Sequence, residues 1–600
     1  MKLVTSKEIA KAIKFDNYGL FGRMVGWILL KALRISTINK VYQKHKHLKD
    51  LEFLNTVLDD FKIKFDIPEE DLKRIPKEGA FISISNHPLG GIDGVLLLKL
   101  MLESRADFKI IGNFLIHKIE PLRPFVLPVN PFDEYENHSS YCGLKAAISH
   151  VQNGNSLGIF PAGEVSTYKD GQLIIDKPWN ERTVKLIRKL NVPVVPIYFH
   201  AKNSWLFYVL SKINDKLRTA KLPSELLTQK NRIIKVRIGK PISVKEQNEL
   251  TGFNEYYEFL RKKTYMLAQP YHKKINLFRR PTIKIPGLKK LPKDIVKQGS
   301  VYEMIYEIEL LKKTDARLLE SNNYEVYFAK SDQIPSIMYE IGRLREITFR
   351  EVGEGTNESI DIDQYDTFYH HLILWDREAH KIAGAYRMGL GEEIYKKFGI
   401  EGFYVHSLFR LDPELYEMMS HTIEMGRAFI IKEYQQKPMP LFLLWKGIVH
   451  VTLRYPNHKF LMGGVSISNK FSDFSKSLMI EFMRSNYYDP FIAQFVRPKK
   501  EYKVKLKDVD KDFVFDATKA DLNKFDKIIE EIEPGALRLP VLIKKYVKQN
   551  AKLVAFNVDP AFNNAIDGLM YIRVADLPES TVKPVLEEYQ AELEKKCKDA

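Results

Sequence analysis

The sequence predicts two domains of different class, an α/β domain in the N-terminal half and an α+β domain in the C-terminal half. Three observations lead there. The chain has 600 residues, more than one domain needs. Its first half alternates short apolar runs with helical stretches, and its second half mixes them without that alternation. Charge also divides at the middle. Residues 1–300 carry 51 Lys/Arg and 29 Asp/Glu, a net +22, while the other half carries 42 and 47, a net −5.

In the first half, Phe81–Ser85 (FISIS), Ser156–Phe160 and Val192–Phe199 read as strands. Val95–Leu102 and Glu181–Leu190 read as helices. In the second half, Ile382–Arg387, Phe460–Ile467 and Leu553–Val558 read as strands. Leu415–Glu433 reads as a long helix, with Pro413 just ahead of it. Between the halves, residues 270–300 hold four prolines and nine Lys/Arg, with Asp294 the single acid. Prolines disfavour regular elements there. The expected organisation is 1–270, a basic linker 271–300, and 301–600.

Apolar residues make up 45% and charged residues 28%, which excludes global disorder and collagen-like structure. Cys142 and Cys597 are too few for a disulfide framework or a CxxC metal site, so a reducing cytoplasm is expected. The first residues lack a signal-peptide core, and no run approaches the ~20 apolar residues of a membrane span. Leu20–His47 is apolar on one side and basic on the other. Such a segment either lies in a bilayer interface or packs on its own domain. The net charge of +17 calls for an anionic partner, and a membrane surface fits. Nucleic acid is not expected, because no base-reading motif accompanies the charge.

Two constellations carry chemistry. In SNHPLGGIDG (Ser85–Gly94), His87 stands at a strand end, where open α/β sheets place their sites. A neutral imidazole takes a hydroxyl proton near pH 7, and Asp93 would hold its tautomer. FPAGEVS (Phe160–Ser166) follows a second strand, and a proline-containing apolar strand comes third. These three blocks, in this order, resemble the glycerolipid acyltransferases that make phosphatidic acid. The resemblance implies His87 and Asp93 as catalytic residues, Gly163 and Glu164 as acceptor-binding residues, and a structural Pro196. Five residues separate His87 from Asp93, where the family has four. The family's phosphate-binding Arg block has no match in Phe125–Glu134, and Arg123 and His138 stand out of place. Arg is the natural bidentate partner of phosphate, so its absence points to an acceptor without one.

The second constellation is spread out. Its residues are Arg345 with Phe349, Asp363 with Asp366, Arg387, and Glu424 with Arg427. Taken singly, these read as salt bridges. Together they resemble the N-acyltransferases of ornithine lipid synthesis and, more distantly, the acyl-homoserine-lactone synthases. The resemblance implies a GNAT-like α+β domain that passes an acyl chain from acyl carrier protein to an amine. RMGLG (Arg387–Gly391) has the wrong spacing for the GNAT pyrophosphate loop, which suits a carrier-protein donor, with acyl-CoA left open. Amine attack requires loss of the ammonium proton, so Glu424 is the expected base or amine-positioning group. Arg345, Asp363, Asp366, Arg387 and Arg427 are expected to bind substrate. His370–His371 reads as structural, and no metal or bound cofactor is expected.

The two halves together resemble the bifunctional ornithine lipid synthases of bacteria. In that reading the C-terminal domain N-acylates the amino acid with a 3-hydroxyacyl chain. The N-terminal domain then esterifies the 3-hydroxyl of this lyso-lipid at the inner face of the cytoplasmic membrane. The alternatives are glycine or another amino acid as acceptor, lysophosphatidic acid as acceptor of the first domain, and a non-enzymatic lytic protein.

Overall fold

A computed structural model of the chain describes all residues except 1–4, 8–18, 33, 130–137, 170–172, 214, 272–291, 507–510, 513, 515–517, 519 and 600. Most of the expected linker therefore lies outside the described residues. The chain divides into two units, residues 1–273 with 529–537, and residues 274–528 with 538–600.

The first unit is built on a seven-stranded sheet. Its spatial order is Lys64–Asp66, Ile233–Ile238, Val194–His200, Ile82–Ser85, Leu157–Ile159, Lys109–Gly112 and Val126–Pro128. All pairings are parallel except that between Val194–His200 and Ile233–Ile238. The three expected strands are central, and each is buried along nearly its whole length. Continuous apolar runs of this kind suit a parallel sheet covered on both faces. The helix Gly91–Leu102 is apolar almost all round, with Leu96, Leu97, Leu98 and Met101 fully buried. Glu181–Leu190 forms as expected, capped by the Asn180 side chain and ended by Asn191 at φ 51°.

Leu20–His47 contains the helices Gly19–Ala32 and Ile35–His45. The first buries Gly22 and Gly26 and leaves Leu20, Phe21, Met24, Trp27 and Ile28 at least half exposed. Among the described residues no helix is long and apolar enough to cross a membrane.

The second unit is built on an eight-stranded sheet. Its order is Arg317–Ser321, Tyr324–Lys330, His370–Asp376, Lys381–Leu390, Thr422–Ile430, Phe460–Ile467, Ala565–Arg573 and Lys552–Asp559. Every pairing is antiparallel except the fifth strand with the sixth, which is parallel. That parallel pairing runs only from Thr422–Phe460 to Met425–Gly463, so the two strands part beyond it. Gly463 closes the apex, where a Cβ would stand 2.3 Å from the Met425 carbonyl oxygen. The expected α/β and α+β classes are both borne out.

One expected element is overturned. Leu415–Glu433 is not a long helix: a short helix, Tyr416–Ser420, is followed by the strand Thr422–Ile430. Glu, Met, Arg and Ala favour helix locally. The segment nevertheless lies between two strands in the middle of a sheet, and that packing overrides local preference.

Candidate functional sites

The first site forms where the Ile82–Ser85 strand ends. Gly90, at φ 76°, turns the chain into the helix Gly91–Leu102. This turn absorbs the additional residue between His87 and Asp93. His87 Nδ1 lies 3.1 Å from Asp93 Oδ2. The same oxygen accepts the amides of Leu89 at 2.7 Å and Gly90 at 3.0 Å. Asp93 is wholly buried; burial raises its carboxyl above the usual range against the opposing pull of His87 and the Leu89 amide. With Nδ1 turned to Asp93, Nε2 is the nitrogen left to receive a proton. The His87 ring also packs on Phe160, at 4.5 Å between centroids.

A second carboxylate stands behind this pair. Asp176 Oδ1 accepts the His87 amide at 3.1 Å and the Ser166 hydroxyl at 2.5 Å. The Ser166 amide donates to the His87 carbonyl at 2.9 Å. Asp176 and Ser166 thus pin the histidine loop to the FPAGEVS loop. Glu164 is paired with Lys177 at 2.6 Å and with Arg218 at 3.2 Å. Burial alone would raise its carboxyl, but the two cations outweigh it and hold it below the ordinary value. Gly163 turns at φ 65° beside it, with open space on its side-chain side. Sequence reasoning missed Asp176 and Arg218, because neither lies in a block with the histidine. Of the region expected to lack a phosphate-binding arginine, residues 130–137 lie outside the described residues. The described part, Val126–Pro128, forms a strand.

In the second unit the dispersed pattern comes together as a ladder of alternating charge. Arg345 meets Asp366 at 2.8 Å, and Asp366 meets Arg387 at 3.3 Å. Arg387 meets Asp363 at 2.6 Å, and Asp363 meets Arg427 at 3.5 Å. Arg427 then meets Asp361 at 3.1 Å. Three arginines face three aspartates, so the ladder is neutral. Asp361 was not expected from the sequence. Burial would raise Asp366, but Arg345 and Arg387 hold it well below the usual carboxylate range.

Glu424 and Arg427 stand three apart on a strand, which in a regular strand would place them on opposite faces. A bulge corrects this. The register against Lys381–Leu390 shifts between Ala385 and Arg387, and Arg427 adopts φ 49°. The bulge brings Arg427 to the side of Arg387 and Asp363.

Glu424 is held by three donors. Its carboxylate accepts Tyr369 OH at 2.5 Å and the amides of Tyr404 at 3.0 Å and Val405 at 2.8 Å. It caps the short helix Tyr404–Leu408 from within the sheet. Burial pushes its carboxyl up, against the opposing effect of these donors. Glu424 thus ties the Tyr369 hydroxyl and the start of the Tyr404–Leu408 helix to the sheet. Tyr369 and Tyr404, which it positions, lie with their rings 5.4 and 5.1 Å from the Arg387 guanidinium. His371 is wholly buried, and burial, then Arg345, holds it down to about 3. His370 stacks on Phe328. Among the described residues no group of three metal-ligating side chains gathers.

Comparison with known proteins agrees with this division. Residues 11–273 match the model of a family described as Acyltransferase. Residues 344–445 match that of an Acetyltransferase (GNAT) domain. The chain is an acyltransferase of two domains. It is 32% identical over 200 residues to a glycine N(alpha)-acyltransferase of Bacteroides thetaiotaomicron, a match covering 32% of this chain and 59% of that protein. It is 28% identical over 266 residues to a glycine N(alpha)-acyltransferase of Phocaeicola vulgatus, covering 42% and 80%. It is 25% identical over 272 residues to a lyso-glycine lipid O-acyltransferase of Phocaeicola vulgatus, covering 44% and 95%.

Proposed function

We propose that the chain makes a two-chain amino-acid lipid in two successive acyl transfers. The second unit joins a 3-hydroxyacyl chain to the α-amine of the amino acid. The first unit then esterifies the 3-hydroxyl with a second acyl chain. One observation carries this reading: a single chain holds two acyltransferase units, and its relatives are named as a glycine N(alpha)-acyltransferase and a lyso-glycine lipid O-acyltransferase. Those names favour glycine as the acceptor over the ornithine expected from the sequence. The donor is an acyl thioester, with acyl carrier protein its expected carrier.

The first unit's residues suit the second step. His87 Nε2 takes the proton of the 3-hydroxyl as its oxygen attacks the thioester carbonyl carbon. The C–O bond forms, the C–S bond breaks, and the imidazolium returns its proton to the leaving thiolate. Asp93 holds the tautomer and stabilises the cation that forms on the ring. Gly163 and Glu164 border the acceptor. In the second unit the ladder arginines Arg345, Arg387 and Arg427, with Asp363 and Asp366, shape the acceptor site, and Glu424 positions Tyr369 and Tyr404 there. Outward apolar residues of Gly19–Ala32, with the basic surplus of the N-terminal half, support contact with an anionic membrane.

Expression in a host that lacks aminolipids tests the proposal. Lipid mass spectrometry should show a new two-chain amino-acid lipid with a glycine headgroup. An ornithine headgroup would correct the acceptor alone. An unaltered lipid profile together with membrane leakage would overturn the enzymatic reading in favour of a lytic one.

A further inference from the structure

Glu424 is already held by three donors, and the parted strands show another destination for the proton of the acceptor ammonium. Beyond Met425 and Gly463 the strands Thr422–Ile430 and Phe460–Ile467 no longer pair. Two glycines face the opening. A Cβ built on Gly426 would meet nothing within 4 Å. Gly464 is exposed although it sits inside an eight-stranded sheet. The three atoms nearest to a Cβ at Gly464 all belong to Asp567, with Oδ1 at 3.8 Å. The wall of this space is therefore the Asp567 side chain.

Asp567 lies on the strand Ala565–Arg573, directly opposite Ser466 on one side and Asn557 on the other. It is 9% exposed, and no described residue donates a hydrogen bond to its carboxylate. This differs from the aspartates nearby. Asp361 and Asp363 are paired with Arg427, and Asp559 accepts the Ala561 amide at 2.8 Å. Glu354 accepts the Ser466 hydroxyl at 2.7 Å. The charged groups that act on Asp567 are Asp559, Glu354 and Arg427, the last already balanced by two aspartates. With Arg427 balanced, acidic side chains outnumber the cations that act on Asp567, which suits an ammonium.

We propose that Asp567 is the general base of the N-acyl transfer. The inference rests on the function proposed above. The Asp567 carboxylate takes one proton from the ammonium of the amino acid and becomes a carboxylic acid. The freed amine lone pair attacks the thioester carbonyl carbon. The C–N bond forms and the C–S bond breaks. The nitrogen gives up its second proton to the departing thiolate, so an amide and a thiol result, and Asp567 releases its proton to water. Burial first, then Asp559 and Glu354, push this carboxyl up to about 8, against Arg427. A base in that range is matched to an amine far better than an ordinary aspartate is.

The test uses the full chain, labelled glycine and a 3-hydroxyacyl thioester of acyl carrier protein. Wild-type protein should form N-acylglycine at a rate that rises with pH through about 8. Failure to form an N-acyl product from either glycine or ornithine would sink the proposed function and this inference with it. Asp567→Asn should lower kcat by about 10²–10⁴-fold near neutral pH and lose that rise. The defect should shrink above the pKa of the amine itself, where glycine needs no base. O-acylation of a supplied lyso-lipid by the same protein should be unchanged. A variant that keeps kcat within a few-fold, or keeps the wild-type pH profile, overturns the assignment. So does a wild-type profile with no rise near 8, a measurement that needs no variant. Asp567→Glu, which restores a carboxylate, should recover part of the rate, and its failure to exceed Asp567→Asn counts against a base.

Discussion

His87 and Asp93 stand six positions apart and one glycine turn joins them, whereas the ladder of the second unit gathers residues from Arg345 to Arg427. The first site is a local device set on a finished sheet. Its histidine is partly exposed, and its loops are held mostly by backbone amides that donate to the Asp93 and Asp176 carboxylates. The second site is part of the core of its own unit. Arg345 and Arg387 are almost wholly buried, each held by carboxylates that come from elsewhere in the chain. A site of the first kind can lose its chemistry and keep its fold. A site of the second kind can lose one ion pair and with it the stability of the unit.

The largest effect that sharpens this contrast is on the first site. His87→Ala should lower O-acylation by about 10²–10⁴-fold and leave the melting temperature nearly unchanged. In the expression host the single-chain lipid should accumulate, as lipid mass spectrometry would show. A two-chain product at the wild-type level would remove His87 from the chemistry.

Arg387→Ala is the matching change in the ladder. It leaves Asp363 and Asp366 each one partner short in a buried setting. Breaking such a pair costs about 3–5 kcal/mol. Thermal unfolding should show an early transition, and N-acylation should fall because less folded unit remains. If the variant keeps full stability and loses only activity, the ladder is a catalytic device rather than a structural one.

The difference between the sites also explains what was legible in the sequence. The His87–Asp93 pair and the three central strands could be read directly, because a strand, a glycine turn and a helix follow one another in the chain. The ladder members could be named only through resemblance. Nothing in the spacing of Asp363, Arg387 and Arg427 shows that they meet. Glu424 and Arg427 share a side through a bulge, and a bulge depends on the partner strand rather than on the residues themselves. The same dependence made Thr422–Ile430 read as helix. Asp567 escaped notice because a lone aspartate in an apolar strand has no local signature; its meaning lies in the exposed Gly464 on the neighbouring strand.

Asp567 yields a prediction of intermediate size that runs against the trend of the second site. A buried acid whose pKa is raised favours the neutral form, so wild-type stability is fully present below the unfolded value of about 3.9 and falls as pH rises toward about 8. Asp567→Asn carries no such charge. Its melting temperature should exceed that of the wild type at alkaline pH, and the gap should open between about pH 4 and about pH 8. A variant less stable than wild type at pH 9 would mean that the carboxylate has a stabilising partner.

The smallest test lies within the first site and compares two glycines of positive φ. Gly90 (φ 76°) and Gly163 (φ 65°) both occupy a region that L side chains rarely adopt, which alone costs alanine about 1–2 kcal/mol. Their surroundings differ. A Cβ on Gly90 would stand 2.7 Å from Leu222 Cδ2 and 3.1 Å from Val165 Cγ2, while one on Gly163 would meet nothing within 4 Å. Gly90→Ala should therefore cost about 1 kcal/mol more than Gly163→Ala, through displaced side chains. The catalytic consequences should diverge further. Gly90 lends its amide to Asp93 Oδ2, so moving it disturbs the carboxylate that orients His87 and should depress kcat. Gly163 is proposed to border the acceptor, so its alanine variant should act mainly on KM for the lyso-lipid. Equal losses of kcat in the two variants would show that the whole loop pair, pinned by Asp176, moves as one body.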